Sequence, residues 1–220
     1  MQEEKTISEK LFEQFCNRQG IRFEPIPRKP GKHTSDYRIW LNEKYQIIVE
    51  VKQMDWNKAD KKLIENVRKG KEITSSFRTT GHKRIGKIIK KAYSQLKNSS
   101  EGIYPAIIVV YDNTQGLSHL DYEDILNGMY GDEVIVDPFQ NSGPYRHKFG
   151  GNRKLTPYHN RVVSAIALLN FKSDTPSLSL FHNIHANICL NPDNAWQIAD
   201  RQFTLQKGTD AYQFWSEIRR

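Results

Sequence analysis

The sequence has very little cysteine and no long apolar run, and both absences narrow the class of protein. Only Cys16 and Cys189 occur among 220 residues, too few for a disulfide framework and without metal-ligand spacing. No stretch approaches the roughly 18 apolar residues that cross a bilayer. The segment MQEEKTISEK is acidic and polar, unlike a secretory signal or a transit peptide. We therefore expect a cytoplasmic, reduced protein with no membrane partner.

Positive charge is in excess and is concentrated in two segments. The chain carries a net charge of +8, to which residues 57–98 contribute +10 and residues 137–161 contribute +4, so the remaining residues carry −6. Clustered Lys and Arg are typical of proteins that bind a polyanion, most often nucleic acid, by neutralising its phosphates. A lysine-rich helix that only faces solvent is the alternative, and charge alone does not separate the two.

The order of predicted elements indicates one α/β domain over residues 1–220, with a mixed central β-sheet flanked by helices. Apolar residues at helical spacing and near-continuous or alternating apolar runs distinguish the two kinds of element. The predicted helices cover residues 7–19, 58–69, 82–98, 122–129 and 213–219. The predicted strands cover residues 21–23, the two arms of 36–52, 104–113, 133–136, 162–170 and 177–183.

The hairpin segment DYRIWLNEKYQIIVEVK, residues 36–52, carries charged residues in otherwise apolar strands. Glu50 and Lys52 point the same way because side chains two apart share a face of a strand. A turn centred on Glu43 places Asp36 opposite Glu50, about 4.5–5.5 Å apart at Cβ. Two carboxylates so placed repel each other unless a divalent cation such as Mg²⁺ lies between them, with Lys52 beside a bound water or phosphate. The alternative is a set of exposed ion pairs, which the apolar neighbours of Glu50 disfavour.

This arrangement resembles the PD-(D/E)xK nuclease superfamily, whose members have the restriction-endonuclease-like fold. SDYRI and EVK carry the resemblance, with thirteen residues between the Asp and the Glu. The resemblance implies that Asp36 and Glu50 bind the metal, with Val51 as a further metal-binding position, and that Lys52 is the catalytic lysine. It also implies Mg²⁺ as the cofactor, with Mn²⁺ as a substitute. The family's usual Pro before the Asp is Ser35 here, which leaves the carboxylate intact.

Members of the family often add a catalytic Glu from the preceding helix, and residues 7–19 offer two candidates. Glu13 is the choice because it is nearer the helix end that leads into the sheet, and Glu9, one turn earlier, shares nearly the same face. Gln53 extends the motif to EVKQ and is a candidate nucleic-acid contact. The resemblance covers about residues 7–111, and the strands and basic loop of 133–220 are expected to elaborate the same domain.

A polar stripe borders the apolar face of the helix at 82–98. Arg84, Lys87, Lys91 and Gln95 lie at i, i+3, i+7 and i+11, within an arc of about 80°. Similar nucleases use polar residues on this helix to contact substrate near the metal, so all four are candidate nucleic-acid contacts and Gln95 is the position carried over. The segment GHKRIGKI also matches a phosphate-loop pattern, except that an Ile replaces the Ser or Thr that would bind Mg²⁺.

A second set of basic residues lies in the segment 137–161, which is rich in Gly, Pro and Asn. Basic residues alternating with Phe and Tyr are typical of backbone contact combined with base stacking. Aromatic residues that only anchor a long loop are the alternative. The candidate contacts here are Arg146, Lys148, Arg153 and Lys154.

Taken together, these features predict a Mg²⁺-dependent endonuclease that hydrolyses phosphodiester bonds, with double-stranded DNA as the expected partner. Restriction, defence, mobile-element biology and repair are all compatible settings, and so is a homodimer. An RNA-cleaving nuclease of the toxin type and a non-catalytic nucleic-acid-binding protein on the same fold are the alternatives. The intact Asp, Glu and Lys set favours catalysis over binding alone, because a binding protein has no need to hold these three residues.

Overall fold

The structure is a computed structural model that describes residues 4–28, 30–71, 81–114, 120–131, 133–136, 146–149, 151–172, 175–207 and 213–219. The helices are α1 (Ile7–Gln19), α2 (Lys58–Arg68), α3 (Gly81–Ser100), α4 (Tyr122–Tyr130) and α5 (Pro192–Ala195). The strands are β1 (Arg22–Pro25), β2 (Tyr37–Leu41), β3 (Tyr45–Met54), β4 (Ala106–Asp112), β5 (Glu133–Val136), β6 (Arg146–Phe149), β7 (Val163–Lys172), β8 (Thr175–His182), β9 (Arg201–Lys207) and β10 (Gln213–Ile218).

Eight of these strands form one mixed sheet in the order β1-β2-β3-β4-β7-β8-β9-β10, and β5 pairs with β6 separately. The pairs β3–β4, β4–β7 and β8–β9 are parallel, and the other neighbours are antiparallel. One apolar core lies between the sheet and α1, and a second lies on the opposite face beneath α3 and α4. The predicted α/β class, with a mixed sheet flanked by helices, is confirmed.

Helix α1 begins and ends with the signals that its sequence contains. The Thr6 side chain accepts a hydrogen bond from the Glu9 N–H (3.2 Å), and the Glu9 carboxylate accepts one from the Thr6 N–H (2.7 Å). Gly20 ends the helix in the left-handed region, at φ 65°. Phe12 and Phe15 are buried against the sheet, so that α1 is fixed across its face.

The hairpin of β2 and β3 has the register predicted from the sequence. Tyr37 pairs with Val49 and Leu41 pairs with Tyr45, which centres the turn on Glu43. Glu43 and its neighbour Asn42 both have positive φ, 59° and 48°, as a tight turn requires. Because β2 begins at Tyr37, opposite Val49, β3 continues for five residues, 50–54, beyond the start of its partner.

Helix α3 lies over the second core and confirms the helix predicted at 82–98. Its buried face carries Ile85, Ile89, Ala92 and Leu96, all fully buried, while lysines occupy the solvent side. The helix is 20 residues long but amphipathic. Among the described residues, no helix has both the length and the apolar character needed to span a membrane.

The end of the chain differs from the prediction. Residues 213–219 were expected to form a helix, but β10 (Gln213–Ile218) pairs along its whole length with β9, a strand the sequence did not indicate. Trp215 explains the outcome, because its Nε1–H donates to the Tyr122 carbonyl (3.1 Å) and its ring packs on Phe181. These tertiary contacts outweigh the local helical pattern. Strand β6 was also not predicted.

Candidate active site

Asp36 is fixed to β3 at the point where β2 begins. Its N–H donates to the Val49 carbonyl (3.2 Å), and its Oδ2 accepts a hydrogen bond from the Val51 N–H (2.8 Å). The main-chain groups of these two β3 residues point towards β2, whereas the Ile48 N–H donates to Pro105 on the opposite side. The Asp36 carboxylate therefore takes the place that a longer β2 would fill, and its orientation is set by the main chain of β3.

Glu50 and Lys52 share the face of β3 that α3 covers. The Glu50 side chain is 0% exposed, and its Oε1 accepts a hydrogen bond from the ammonium of Lys52. The same ammonium lies 3.3 Å from Oε1 of Gln95, whose Nε2 donates to the Thr34 carbonyl (3.2 Å). The structure thus brings together Lys52, Glu50 and the α3 residue that the resemblance had singled out, and it holds the lysine in place from two sides.

Both carboxyl groups are in surroundings that oppose their ionisation. Burial, followed by the nearby charge of Asp36, raises the pKa of Glu50 to about 7, although Lys52 and the Gln95 amide act in the opposite direction. Burial also raises the pKa of Asp36, against the lowering effects of the Val51 N–H and Lys52. The ammonium of Lys52 alone therefore does not compensate the two carboxylates of Asp36 and Glu50. Further positive charge at this position would favour the ionised form of both.

The donor atoms at this position suit a magnesium ion. Within the described ranges, the second oxygen of Glu50, Oε2, is buried and has no hydrogen-bond partner. The Val51 carbonyl points to the same side of β3 as its N–H, towards Asp36, because both groups of a strand residue face one neighbour. Carboxylate and carbonyl oxygens are ligands that Mg²⁺ accepts, with waters and phosphate oxygens completing the shell. The described residues contain no cluster of three or more His, Cys, Asp or Glu side chains that could hold a metal.

The two helix glutamates have different surroundings. Glu13 accepts hydrogen bonds from the Tyr37 hydroxyl (2.9 Å) and the Lys5 ammonium (2.7 Å), which fix its carboxylate inside the protein. Glu9 lines a cleft of about 420 Å³ together with Asp36 and Arg28, and its charge contributes to the raised pKa of Asp36. Sequence reasoning preferred Glu13, whereas Glu9 is the helix carboxylate that faces the same cleft as Asp36.

Gln53 lies on the α1 side of β3, away from Lys52. Its Oε1 accepts a hydrogen bond from the Ser8 N–H (3.1 Å) in the first turn of α1, and its Nε2 donates to Asp55 (2.8 Å). Both ends of this amide are therefore used within the protein. The Gln53–Ser8 contact joins the first turn of α1 to the end of β3, and no local sequence signal indicates it.

The side chains of the polar stripe on α3 differ in whether they are bonded within the protein or exposed to solvent. Arg84 donates to the Asp55 carbonyl and lies 3.8 Å from the Asp60 carboxylate, so its guanidinium is held by the segment after β3. Lys87 and Lys91 are exposed, and they lie on the solvent side of the helix that carries Gln95. Gly81 to Lys87 are helical, so the glycine and lysine pattern noted above does not form a phosphate loop.

Part of the second basic segment lies beside α3. The Lys154 N–H donates to the Met129 carbonyl at the end of α4 (3.1 Å), and a Cβ on Gly86 would lie 3.0 Å from Cε of Lys154. Arg153 packs its Cγ against Gly131. Arg146 and Lys148 belong to β6, and their side chains lie outside the described part of the structure.

A scan of protein-family models, a search of curated proteins and a search of solved structures find no match to this chain. We therefore infer the function from the chain's own residues and their geometry.

Proposed function

We propose that this chain is a metal-dependent nuclease of the PD-(D/E)xK type with a restriction-endonuclease-like core, and that it binds Mg²⁺ through Asp36, Glu50 and the main chain of Val51. The observation that carries the proposal is the buried carboxylate of Glu50, which has one oxygen without a partner among the described residues and lies near a second carboxylate and a fixed lysine. Leaving such a group uncompensated is costly, and a divalent cation compensates it.

The proposed chemistry is hydrolysis of a phosphodiester bond. When bound, Mg²⁺ supplies a water of lowered pKa and neutralises charge on the phosphate. Lys52 is held by Glu50 and by Gln95, 3.3 Å away, so its ammonium is ready to stabilise the negative charge that develops on the phosphate oxygens. The Val51 N–H holds the Asp36 carboxylate through Oδ2, which fixes its orientation at the proposed metal position.

Nucleic acid is the proposed substrate because the helix that carries Gln95 also carries exposed lysines on its solvent side. Lys87 and Lys91 follow the helix that carries Gln95, so phosphates near the scissile bond would meet positive charge. Double-stranded DNA is the substrate proposed first, because most members of the resembling family cut it. RNA cleavage uses the same residues and remains the second candidate.

The deciding experiment is cleavage of plasmid DNA and of RNA in Mg²⁺, Mn²⁺ or EDTA. We expect Asp36→Ala and Lys52→Ala each to reduce metal-dependent cleavage by roughly 100-fold or more, because each removes a group that acts in the transition state. Glu24→Ala and Lys44→Ala are matched controls, since both residues are exposed and lie outside the site. Cleavage that survives both site substitutions would refute the assignment, and salt-sensitive binding without cleavage of either polymer would favour the non-catalytic alternative.

A further inference from the structure

A cleft lined by lysines lies on the opposite edge of α3 from the candidate active site. It has a volume of about 370 Å³ and is enclosed by α3, α4 and the segment 152–154. We call it the α3–α4 cleft and define it by Lys83, Gly86, Lys87, Lys90, Gly128 and Lys154. Two of its lysines, Lys83 and Lys90, are not among the residues that the sequence indicated.

Close packing of glycines shapes this cleft. A Cβ on Gly128 would lie 2.5 Å from Cβ of Ile85, so α4 approaches α3 more closely than any larger residue would allow. Gly86 leaves room for the aliphatic stem of Lys154, whose main chain is held by Met129 (3.1 Å) and by Nδ2 of Asn160 (2.7 Å). The packing of the protein therefore positions Lys154 at the cleft.

The four ammonium groups have no acid to compensate them in the part of the chain that the structure describes. The described contacts include no side-chain hydrogen bond or ion pair for Lys83, Lys87, Lys90 or Lys154. The Asp124 carboxylate does not line the cleft and lies at the start of α3, where it accepts the His82 N–H (3.0 Å). Like charges gathered in one cleft repel each other, and an anion with several oxygens would relieve the repulsion.

We infer that the α3–α4 cleft binds a phosphate group of a nucleic-acid backbone at a distance from the cleaved bond. The choice of nucleic acid as the source of the phosphate rests on the proposed function. Gly86 and Gln95 are nine residues apart on α3, about 13 Å along the axis, and the two sites face opposite edges of a helix about 10 Å wide. That separation corresponds to roughly five base pairs of duplex. Lys87 and Lys91 bridge it on the exposed face of α3.

The test measures binding of a labelled duplex of about 20 base pairs by fluorescence anisotropy, in EDTA, across about 50–200 mM salt. We expect Lys83→Gln/Lys90→Gln to reduce the magnitude of the slope of log K against log[salt] by roughly 0.9, because one phosphate contact is lost. The control Lys44→Gln/Lys97→Gln removes the same charge from exposed positions outside the cleft and should leave the slope near that of the wild type. Lys83→Arg/Lys90→Arg keeps the charge and should restore the slope, which separates loss of charge from misfolding.

Two results would overturn the inference. One is an equal change of slope in the cleft variant and in the control, which would mean that only net charge matters. The other is that pyrophosphate binds wild type but not Lys83→Gln/Lys90→Gln, while both bind the duplex with the same slope. The cleft would then serve a free phosphate compound. Because binding is measured in EDTA, a protein that never cleaves can still show the predicted slope, so failure of the proposed function remains distinguishable.

Discussion

At the scale of single residues, Glu50 is a buried carboxyl group whose ionisation its surroundings oppose. Its side chain is 0% exposed, one oxygen is paired with Lys52, and the other has no partner within the described ranges. Asp36, held by the Val51 N–H, adds repulsion. The fold therefore favours the protonated form of Glu50 unless a cation is bound.

This environment predicts a specific dependence of stability on pH in EDTA. The pKa of Glu50 rises from 4.5 to about 7 on folding, so its contribution to the free energy of unfolding is fully present below about pH 4.5 and is lost as the pH rises through about 7. The loss approaches roughly 3–4 kcal/mol at most, at about 1.4 kcal/mol for each unit between the two pKa values. Glu50→Gln cannot ionise, so urea unfolding should show it gaining stability over wild type between about pH 5 and pH 8.

A stability gap between Glu50→Gln and wild type that does not change with pH would contradict this expectation. Saturating Mg²⁺ should narrow the gap at high pH, because a cation bound to the native protein stabilises wild type.

The two helix glutamates give a second prediction at this scale. Glu9 lines the cleft with Asp36, whereas Glu13 is bonded to Tyr37 and Lys5. Glu9→Gln keeps the capping interaction but removes a negative charge facing the proposed metal, so the Mg²⁺ concentration for half-maximal cleavage should rise roughly three- to tenfold. Glu13→Gln should leave that concentration near the wild-type value. If this concentration rises for Glu13→Gln and not for Glu9→Gln, Glu13 would be the carboxylate of α1 that acts at the proposed metal site.

The three central residues could be predicted because their placement depends on local geometry. Strand parity fixes Glu50 and Lys52 on one face, and the turn at Glu43 fixes Asp36 opposite Glu50. The placement of Glu9 beside Asp36 could not be predicted, because the position of α1 depends on the bond between Gln53 and Ser8, 45 residues apart in sequence.

At the scale of elements, the contact of α3 with α4 determines the geometry of the basic surface. Gly81 lies against the Asp124 carboxyl, and Gly128 lies against Ile85, so the two helices meet at glycines. Their close approach also brings Lys154 beside α3.

Substitution at this contact should destabilise the protein. In Gly128→Ala the new Cβ would lie 2.5 Å from Cβ of Ile85, too close without movement of a helix. We expect the free energy of unfolding to fall by about 1–3 kcal/mol, as in other overpacked cores. Gly151→Ala is the matched control, because nothing lies within 4 Å of its added Cβ. Urea unfolding of both variants checks the prediction, and equal stability of the two would contradict it.

Elements with a strong pattern of apolar residues could be predicted from the sequence. Strands that depend on pairing with a distant or unrecognised strand could not. The apolar spacing of α3 and the unbroken apolar run of β4 each indicate one structure. The segment of β10 has a helical pattern of apolar residues, and it becomes a strand because β9 pairs with it and Tyr122 accepts the Trp215 N–H.

At the scale of the molecule, the candidate active site and the C-terminal strands belong to one sheet. Strand β4 pairs with β3 on one side and β7 on the other, so the motif-bearing hairpin and the later strands share apolar cores on both faces. The prediction of one domain over residues 1–220, made from the order of elements, can be tested directly.

Cooperative unfolding provides that test. Trp40 lies on β2 and Trp215 lies on β10, at opposite ends of the sheet. Two variants are needed, each of which keeps one of these tryptophans while the others are changed to Phe. In each variant, the urea midpoint of tryptophan fluorescence should equal the midpoint of far-UV circular dichroism. The two fluorescence midpoints should then agree after correction for the stability of each variant. Separate midpoints for fluorescence and circular dichroism within a variant would indicate two domains.

The hydrogen bond between Asp36 and Val51 has a consequence for mutational tolerance. The Val51 side chain packs in the α1 core, while its main chain holds Asp36 and faces the proposed metal. A saturation scan at position 51 would therefore detect the effect of side-chain size on packing and would not detect the contact with Asp36. Every residue except proline supplies the same N–H. Replacing that one amide by an ester, which removes the N–H and keeps the side chain, would reveal how far the backbone itself acts as a functional group.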